Sequence, residues 1–312
     1  MTDQQEEKSV EKASLLSKVK HIYESKYKLL FGIVLFILFL SFVQIGYQYA
    51  ATGDFLHKGV SIKGGLTVTI LTEKWLDYEY IKTQLYNNFG KEIQVRVLSI
   101  DELQNSLIIE ADITDTAEIE SFISHIEKIT GLKKDKFTIE VTGPSLGDSF
   151  FRDTVIALLI AFFAMGIVVF LYFRIPIPSL AVMLSALSDI VITLAIINLM
   201  GIKISASGIV AFLLVIGFSV DTDILLTIKV LKRKEGSVMD RIYNAIKIGT
   251  LMTFCSIAAV AVGLILSKSE VISQIMLILL IGLIVDLFTT WIQNVAILRL
   301  YLERKEKHEN EN

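Results

Sequence analysis

The sequence of 312 residues has little cysteine, little histidine and little net charge, and these shortages exclude several classes of function. With a single cysteine, Cys255, no disulfide can form within the chain. The four histidines lie outside the apolar runs and lack the spacing of metal ligands, so we predict neither a metal site nor a cofactor. The formal net charge of −3 is too close to neutral to indicate a nucleic-acid partner.

Hydrophobic residues, in contrast, are abundant: they make up 53% of the chain and are concentrated in long runs. A helix that spans a bilayer needs about 20 predominantly apolar residues. The first run is longer than the apolar core of a cleaved signal peptide, so we interpret it as a retained span. The sequence therefore predicts an α-helical polytopic membrane protein with six transmembrane helices, at 29–50, 154–173, 179–200, 204–228, 244–266 and 271–298.

Residues 51–148 have a different character and predict a separate α+β domain. Apolar residues alternate in four stretches, as in half-buried strands, and recur at helical spacing in two others. The predicted order is strand, helix, strand, strand, helix, strand, which is the ferredoxin-like pattern. No phosphate loop or catalytic triad occurs in it, so we interpret it as a contact domain rather than an enzyme. The predicted organisation is an amino-terminal segment (1–28), a first span (29–50), this domain (51–148), a five-helix membrane domain (149–300) and a tail (301–312).

Lysine and arginine are unevenly distributed between the segments that flank the spans. Most of them lie on the side of the amino terminus, whereas the short loops on the other side hold Lys203 and Lys268 alone. Because positively charged loops stay in the cytoplasm, this bias predicts cytoplasmic termini and an extracytoplasmic domain at 51–148 of a cell-membrane protein. It also predicts that the basic loop at 229–243 contacts membrane lipids.

Four aspartates interrupt the predicted spans. A charged side chain at the bilayer centre costs about 2.5–3.5 kcal/mol on insertion scales, and such residues often mark proton relays. No basic residue lies at mid-depth in a predicted span, so the acids carry protons, share protons or receive a cation from a second chain. We interpret them as candidates for a proton relay; the alternative is neutral acids that pack against serine and threonine. The candidates are Asp189, Asp221, Asp223 and Asp286.

Helix geometry separates two of these acids. Asp221 and Asp223 lie about 200° apart around a helix axis, so they cannot face the same partner. At about 1.5 Å per residue, Asp221 has nearly the same depth as Asp189 and Asp286. Gly217, one turn before Asp221, permits close packing on that face. The sequence therefore predicts that Asp221 faces the bundle interior and that Asp223 faces another subunit or the headgroups.

Three stretches, taken in order, carry a family resemblance. Gly59-Val-Ser-Ile-Lys-Gly-Gly-Leu follows the first span, and Val141-Thr-Gly-Pro-Ser-Leu-Gly precedes the second. Ile216-Gly-Phe-Ser-Val-Asp-Thr-Asp lies in the fourth. Together they resemble SecF, a membrane subunit of the Sec protein-export machinery, and the Asp-Thr-Asp form is similar to that of archaeal members. Ser61-Ile-Lys departs from the more usual Asp-Phe-Thr-like residues before the paired glycines.

The resemblance implies a function that spacing alone does not. SecF pairs with the homologous SecD in two pseudo-symmetric halves, as in the RND superfamily, and the pair assists translocation of a polypeptide by a SecY-type channel. In bacteria SecDF uses proton flow, the proton motive force, while its outer domain pulls the emerging chain. The resemblance thus implies a proton-coupled centre that includes Asp221 and Asp223. It also implies a domain base shaped by Gly64, Gly65, Gly143, Pro144 and Gly147.

Three other interpretations stay open at this point. An RND-like exporter of a small molecule or lipid would share the same spans and acids. An intramembrane aspartyl protease would also place two aspartates on facing helices, but its usual Tyr-Asp and Gly-x-Gly-Asp sequences do not occur around Asp189 or Asp221. A structural scaffold with neutral packed acids is the third.

Overall fold

The structure is a computed structural model, and it describes residues 20–72, 76–91, 93–101, 104–232, 236–267 and 270–311. A helical segment at 20–25 comes first. In chain order the further elements are α1 (Tyr27–Thr52), α2 (Val60–Lys63), β1 (Gly65–Thr72), α3 (Tyr78–Phe89), β2 (Ile93–Asp101), β3 (Gln104–Ala111), α4 (Thr116–Thr130), β4 (Phe137–Thr142), α5 (Pro144–Phe173), α6 (Pro176–Leu199), α7 (Ala206–Leu231), α8 (Val238–Leu266), α9 (Glu270–Phe288), a π segment (Thr289–Asn294) and α10 (Val295–Glu311).

Six helical runs in the described ranges are long and apolar enough to cross a membrane, which confirms the predicted number of spans. They are α1, α5, α6, α7, α8 and the continuous run of α9, the π segment and α10. Pro176 begins α6, where proline costs no hydrogen bond because the first-turn N–H groups have no helical acceptor. The sixth run contains an unpredicted π turn at Thr289–Asn294.

The helices that carry most of the predicted acids form the centre of the bundle. In the most apolar stretches of α6 and α7, 61% and 56% of the residues are buried, compared with 17% in α1 and 11% in α5. The outer helices α1, α5 and α8 expose apolar side chains such as Phe36, Phe163 and Leu251. Apolar exposure of this extent suits lipid or a partner helix rather than water.

The domain between the first two spans has the predicted ferredoxin-like topology. Its four strands form an antiparallel sheet in the order β2-β3-β1-β4. Asp77 and Asp115 cap α3 and α4 by accepting hydrogen bonds of 3.1 Å from the backbone N–H groups of Tyr80 and Glu118. The core between sheet and helices is apolar, and its fully buried side chains include Leu66, Val68, Ile70, Leu85, Ile109, Phe122 and Ile126.

The domain is joined to the bundle at a tight base. A Cβ atom on Gly147 of α5 would lie 2.3 Å from the carbonyl oxygen of Ile62 in α2, so this position requires glycine. Gly64 and Gly65 have φ angles of 90° and 138°, which other residues rarely adopt. Gly143 and Pro144 form the start of α5. All five residues predicted for the base therefore lie where β1, α2 and α5 meet.

A second connection ties the base to the loop between α6 and α7. Lys58 and Ile204 form a parallel β-bridge. The N–H of Gly59 donates to Ile204 O at 2.9 Å, and the N–H of Ile204 donates to His57 O at 2.7 Å. We call residues 57–59 the base strap. It places the backbone next to the domain in direct contact with the segment that precedes α7.

Candidate functional site

Three of the four predicted acids come together inside the bundle. Asp189 on α6, Asp223 on α7 and Asp286 on α9 are each no more than 1% exposed. Thr290 in the π segment connects two of them, because its Oγ1 atom lies 3.0 Å from Asp223 Oδ1 and 2.9 Å from Asp286 Oδ1. We call these three aspartates the acid cluster.

Asp189 ties α6 to its neighbours through both carboxyl oxygens. Ser219 Oγ on α7 donates to Oδ2, and Thr289 Oγ1 in the π segment donates to Oδ1. Beside it, Ser188 Oγ lies 3.0 Å from Gln293 Nε2 in the π segment. Hydroxyl and amide groups thus replace the apolar contacts that would fill this space in a water-soluble protein.

Asp223 and Asp286 also lie within hydrogen-bonding distance of polar side chains on neighbouring elements. Thr222 Oγ1 lies 3.1 Å from Asp286 Oδ2 and 2.8 Å from Ser219 O, so its single proton serves one acceptor at a time. Asn294 Nδ2 donates to Asp223 Oδ1 at 2.7 Å. Among the described residues, the other oxygen of Asp223, Oδ2, is buried without a hydrogen-bond partner. The two oxygens of Asp223 thus differ, because Oδ1 lies within hydrogen-bonding distance of both Thr290 and Asn294.

The cluster has no compensating cation within the part of the chain that the structure describes. None of the ion pairs found there includes Asp189, Asp223 or Asp286. Removing an ionised carboxylate from water costs several kcal/mol even after the protein relaxes. Three like charges at this spacing would also repel one another. The arrangement thus favours protons, or a cation from outside the chain, as the charge balance.

The prediction that Asp221 faces the interior is wrong, and so is the opposite prediction for Asp223. Asp221 is exposed, whereas Asp223 is completely buried. The expected angular separation of the two residues is correct, but the bundle is packed on the other face of α7. Gly217 lies on the exposed face, with no atom within 4 Å of an added Cβ, so it does not serve close packing within this chain.

The exposed face of α7 combines apolar residues with one carboxylate. Its members recur at i, i+4, i+7, i+8 and i+11, which places them on one side of the helix. We call this face the α7 outer stripe; it consists of Val210, Leu214, Gly217, Phe218 and Asp221. A carboxyl group on an otherwise apolar membrane face is costly unless a partner covers it.

The amino-terminal segment contacts this site in a way that the sequence does not predict. Tyr23 donates a hydrogen bond of 2.6 Å to the backbone oxygen of Trp291 in the π segment. The two residues are 268 positions apart, and no periodicity or motif connects them. A polar run within the sixth span, Thr289 to Asn294, was the available signal that something unusual happens there.

Comparisons with known proteins agree with the resemblance. Residues 122–304 match the family model described as protein export membrane protein SecD/SecF, C-terminal. The protein-export membrane protein SecF of Pyrococcus furiosus is 32% identical over 94% of this chain and 97% of its own length. The SecF protein of Methanocaldococcus jannaschii is 33% identical over 88% of this chain and 96% of its own length.

Two solved structures share the fold. The crystal structure of SecDF from Thermus thermophilus, described as a translocon-associated membrane protein, has a TM-score of 0.67 at 18% identity over 89% of this chain. A structure of SecDF in a super-membrane-facing form has a TM-score of 0.59 at 17% identity over 90% of this chain. The matched region spans 38% and 39% of those two longer chains.

Proposed function

The chain belongs to the SecD/SecF family of protein-export membrane proteins, and we propose that it couples proton movement through the acid cluster to the export of polypeptides. It is a multi-pass membrane protein of the SecF type. The observation that supports proton coupling is the burial of Asp189, Asp223 and Asp286 on three helices without a described cation. The named relatives are protein-export proteins, which favours export over the small-molecule exporter and protease interpretations.

The Thr290 hydroxyl can transfer a proton between Asp286 and Asp223 in the proposed relay. Its oxygen accepts the proton of a protonated Asp286, and at the same time its own proton passes to the Asp223 carboxylate. Distances of 2.9 and 3.0 Å suit both transfers. Afterwards Asp286 is ionised, Asp223 is protonated and the hydroxyl is restored, so no charge is gained or lost.

The proposed partner is a SecD-like subunit that covers the α7 outer stripe. Support comes from the exposed Asp221 on an apolar face, beside the open position of Gly217. It also comes from the solved SecDF chains, which extend well beyond the part that this chain matches. A donor or cation from the partner helix would compensate Asp221. Such a heterodimer would act with a SecY-type channel on the translocating polypeptide.

The proposed orientation has both termini in the cytoplasm and the ferredoxin-like domain outside it. The support is the excess of lysine and arginine on the terminal side of the spans. In this orientation the domain is on the side where an exported chain emerges, and the basic segment after α7 meets the lipid headgroups of the cytoplasmic leaflet.

The base strap is the proposed mechanical link between the acids and the domain. Gly59 and His57 hydrogen-bond Ile204, and Ile204 lies two residues before the start of α7, the helix that carries Asp223. A shift of α7 that follows a change of charge at Asp223 would therefore reach the domain base directly. The tight contact at Gly147 would limit how far α5 can follow.

An export assay with one buried and one exposed aspartate tests this proposal. Asp223→Asn should stop export of a secreted reporter, because an amide cannot take up and release the proton. Expression and co-purification with the SecD-like subunit should be unchanged. Asp153→Asn is the matched control, because Asp153 is exposed at the start of the second span and lies 3.6 Å from Arg152. Normal export by the Asp223→Asn variant would overturn the proposal.

A further inference from the structure

Residues of the π segment supply many of the hydrogen bonds of the acid cluster. Thr289, Thr290 and Asn294 each have a side-chain atom within hydrogen-bonding distance of an aspartate. π turns are rare in helices and are frequent at functional sites. Whatever keeps this turn in place therefore also keeps the donors in reach of the acids.

The π turn leaves one carbonyl group without its usual donor. In an α-helix, the N–H of Val295 would donate to Trp291 O, four residues earlier. Here it is directed to Thr290 O, five residues earlier, and to Ile292 O. Trp291 O instead accepts the 2.6 Å hydrogen bond from Tyr23 Oη. The phenol thus donates to the carbonyl that the Val295 N–H would serve in an α-helix.

Tyr23 is well suited to be a permanent donor. Its ring packs against a group of buried apolar side chains that includes Leu226, Trp291 and Val295. Burial raises the pKa of Tyr23, and the neighbouring Tyr243 raises it further. The hydroxyl therefore keeps its proton at every pH at which carboxyl groups titrate, and the hydrogen bond does not itself switch with pH.

The helical segment that carries Tyr23 is fixed to two other elements. Tyr243 Oη on α8 donates to Glu24 Oε1 at 2.8 Å. Arg299 Nη1 on α10 donates to Glu24 O at 3.2 Å, and its guanidinium lies 3.9 Å from the ring centre of Tyr27. These contacts hold the segment against α8 and α10, next to the part of the sixth span that follows the acid cluster.

Trp291 is also held from its other side. A Cβ atom on Gly249 of α8 would lie 2.3 Å from Trp291 Cζ2, so the indole ring occupies the space that a larger residue would need. The ring is thus fixed by α8 and the carbonyl by Tyr23. Thr290 directly precedes this fixed residue in the chain.

We propose that Tyr23 is a positioning residue for the acid cluster: its hydroxyl stabilises the π turn so that Thr290 and Asn294 reach Asp223. The inference rests on the proposed role of these acids in proton coupling. Tyr23 does not touch the acids and acts through Trp291. Without this hydrogen bond the π turn can relax toward an α-helix. Such a relaxation shifts the helix by one residue, and a shift of one residue rotates each side chain by about 100° around the helix axis.

The test is Tyr23→Phe, which removes the hydroxyl and keeps the ring. Tyr27→Phe is the matched control, because Tyr27 Oη donates to Glu303 Oε2 at 2.6 Å. Both are measured in vesicles with the SecD-like partner as proton uptake against pH. The titratable or charged groups that face the site are Asp189, Asp223 and Asp286, and those around Tyr23 are Glu24, Tyr243 and Arg299.

Tyr23→Phe should lower proton uptake by about a hundredfold or more, because displacing reacting groups by even about 1 Å can cost a hundredfold in rate. It should also shift the pH profile, which a merely structural loss would not. In a Trp75→Phe background Trp291 is the sole tryptophan, and its fluorescence emission should change with Tyr23→Phe. Tyr27→Phe should alter none of these properties.

The outcomes separate this inference from the proposed function. An unchanged pH profile in Tyr23→Phe, while Asp223→Asn is inactive, would overturn the inference and leave the function standing. Full activity of Asp223→Asn would overturn both. If Tyr23→Phe does not assemble, Tyr243→Phe releases Glu24 and keeps the Tyr23 hydroxyl. It should then move the same profile in the same direction by less, and an unmoved profile would contradict the inference.

Discussion

The ferredoxin-like domain and the helical bundle each have a buried apolar core, but the core of the bundle also contains a polar layer. In the domain the buried side chains are leucine, isoleucine, valine and phenylalanine, as at Leu85 and Phe122. In the centre of the bundle Asp223, Thr290 and Asn294 are completely buried. Water drives apolar residues inside the domain. A bilayer offers no such drive, so polar contacts and close packing distinguish the inside from the outside.

The largest difference in stability between the domain and the bundle is expected when an aromatic ring is removed from each. Phe122 is completely buried, 5.0 Å from the ring of Phe89, and Phe122→Ala should lower the free energy of unfolding of the domain by about 3–5 kcal/mol. Phe163→Ala, on a bundle surface where the ring is 60% exposed, should have little effect. Protease susceptibility of the full chain in increasing urea measures both. Equal losses would mean that the two regions do not differ as described.

A smaller effect on stability is expected when a glycine is replaced by alanine, which adds one methyl group. Gly147→Ala brings a Cβ atom against Ile62 O and should cost about 1–3 kcal/mol, read as a lower melting temperature. Gly217→Ala meets no atom in this chain and should leave the melting temperature unchanged or higher.

Co-purification with the SecD-like subunit distinguishes the Gly147→Ala and Gly217→Ala variants further. If the SecD-like subunit packs on the α7 outer stripe, Gly217→Ala should weaken co-purification with it. Gly147→Ala should leave capture of the folded fraction intact. Full capture with Gly217→Ala would argue that another surface binds the partner.

The smallest effect on stability is expected in the polar core. Thr290→Val removes the shared hydroxyl, and hydrogen bonds between membrane helices average about 0.6 kcal/mol. The matched control is Thr193→Val, because the buried Thr193 hydroxyl has no hydrogen-bond partner in the described ranges. Both variants should be nearly as stable as the parent chain, yet Thr290→Val should slow proton uptake. Equal uptake by the two variants would remove Thr290 from the relay.

The sequence predicts the domain and the spans because both depend on local patterns. Alternation in 65–72 and 137–142 gives β1 and β4, and run length gives the six spans. Asp77 and Asp115 likewise cap the helices that directly follow them. Each of these features depends on residues close together in the chain.

The orientation of α7 could not be predicted in the same way. The spacing of Asp221 and Asp223 fixes the angle between them, but not which of the two faces inward. That choice depends on Thr290 and Asn294, which lie far away in the sequence. The π turn depends similarly on Tyr23. Contacts between distant segments decide both features.

We expect Asp223 to carry the transferred proton and the exposed Asp221 to lie outside the relay. The most direct measurement is proton uptake into sealed vesicles that contain the chain and its SecD-like partner, driven by a membrane potential and followed with an internal pH dye. Asp223→Asn and Asp286→Asn should both abolish uptake, although the two variants remain folded and bound to the partner. Uptake at the parental rate in Asp223→Asn would mean that Asp223 does not carry the proton.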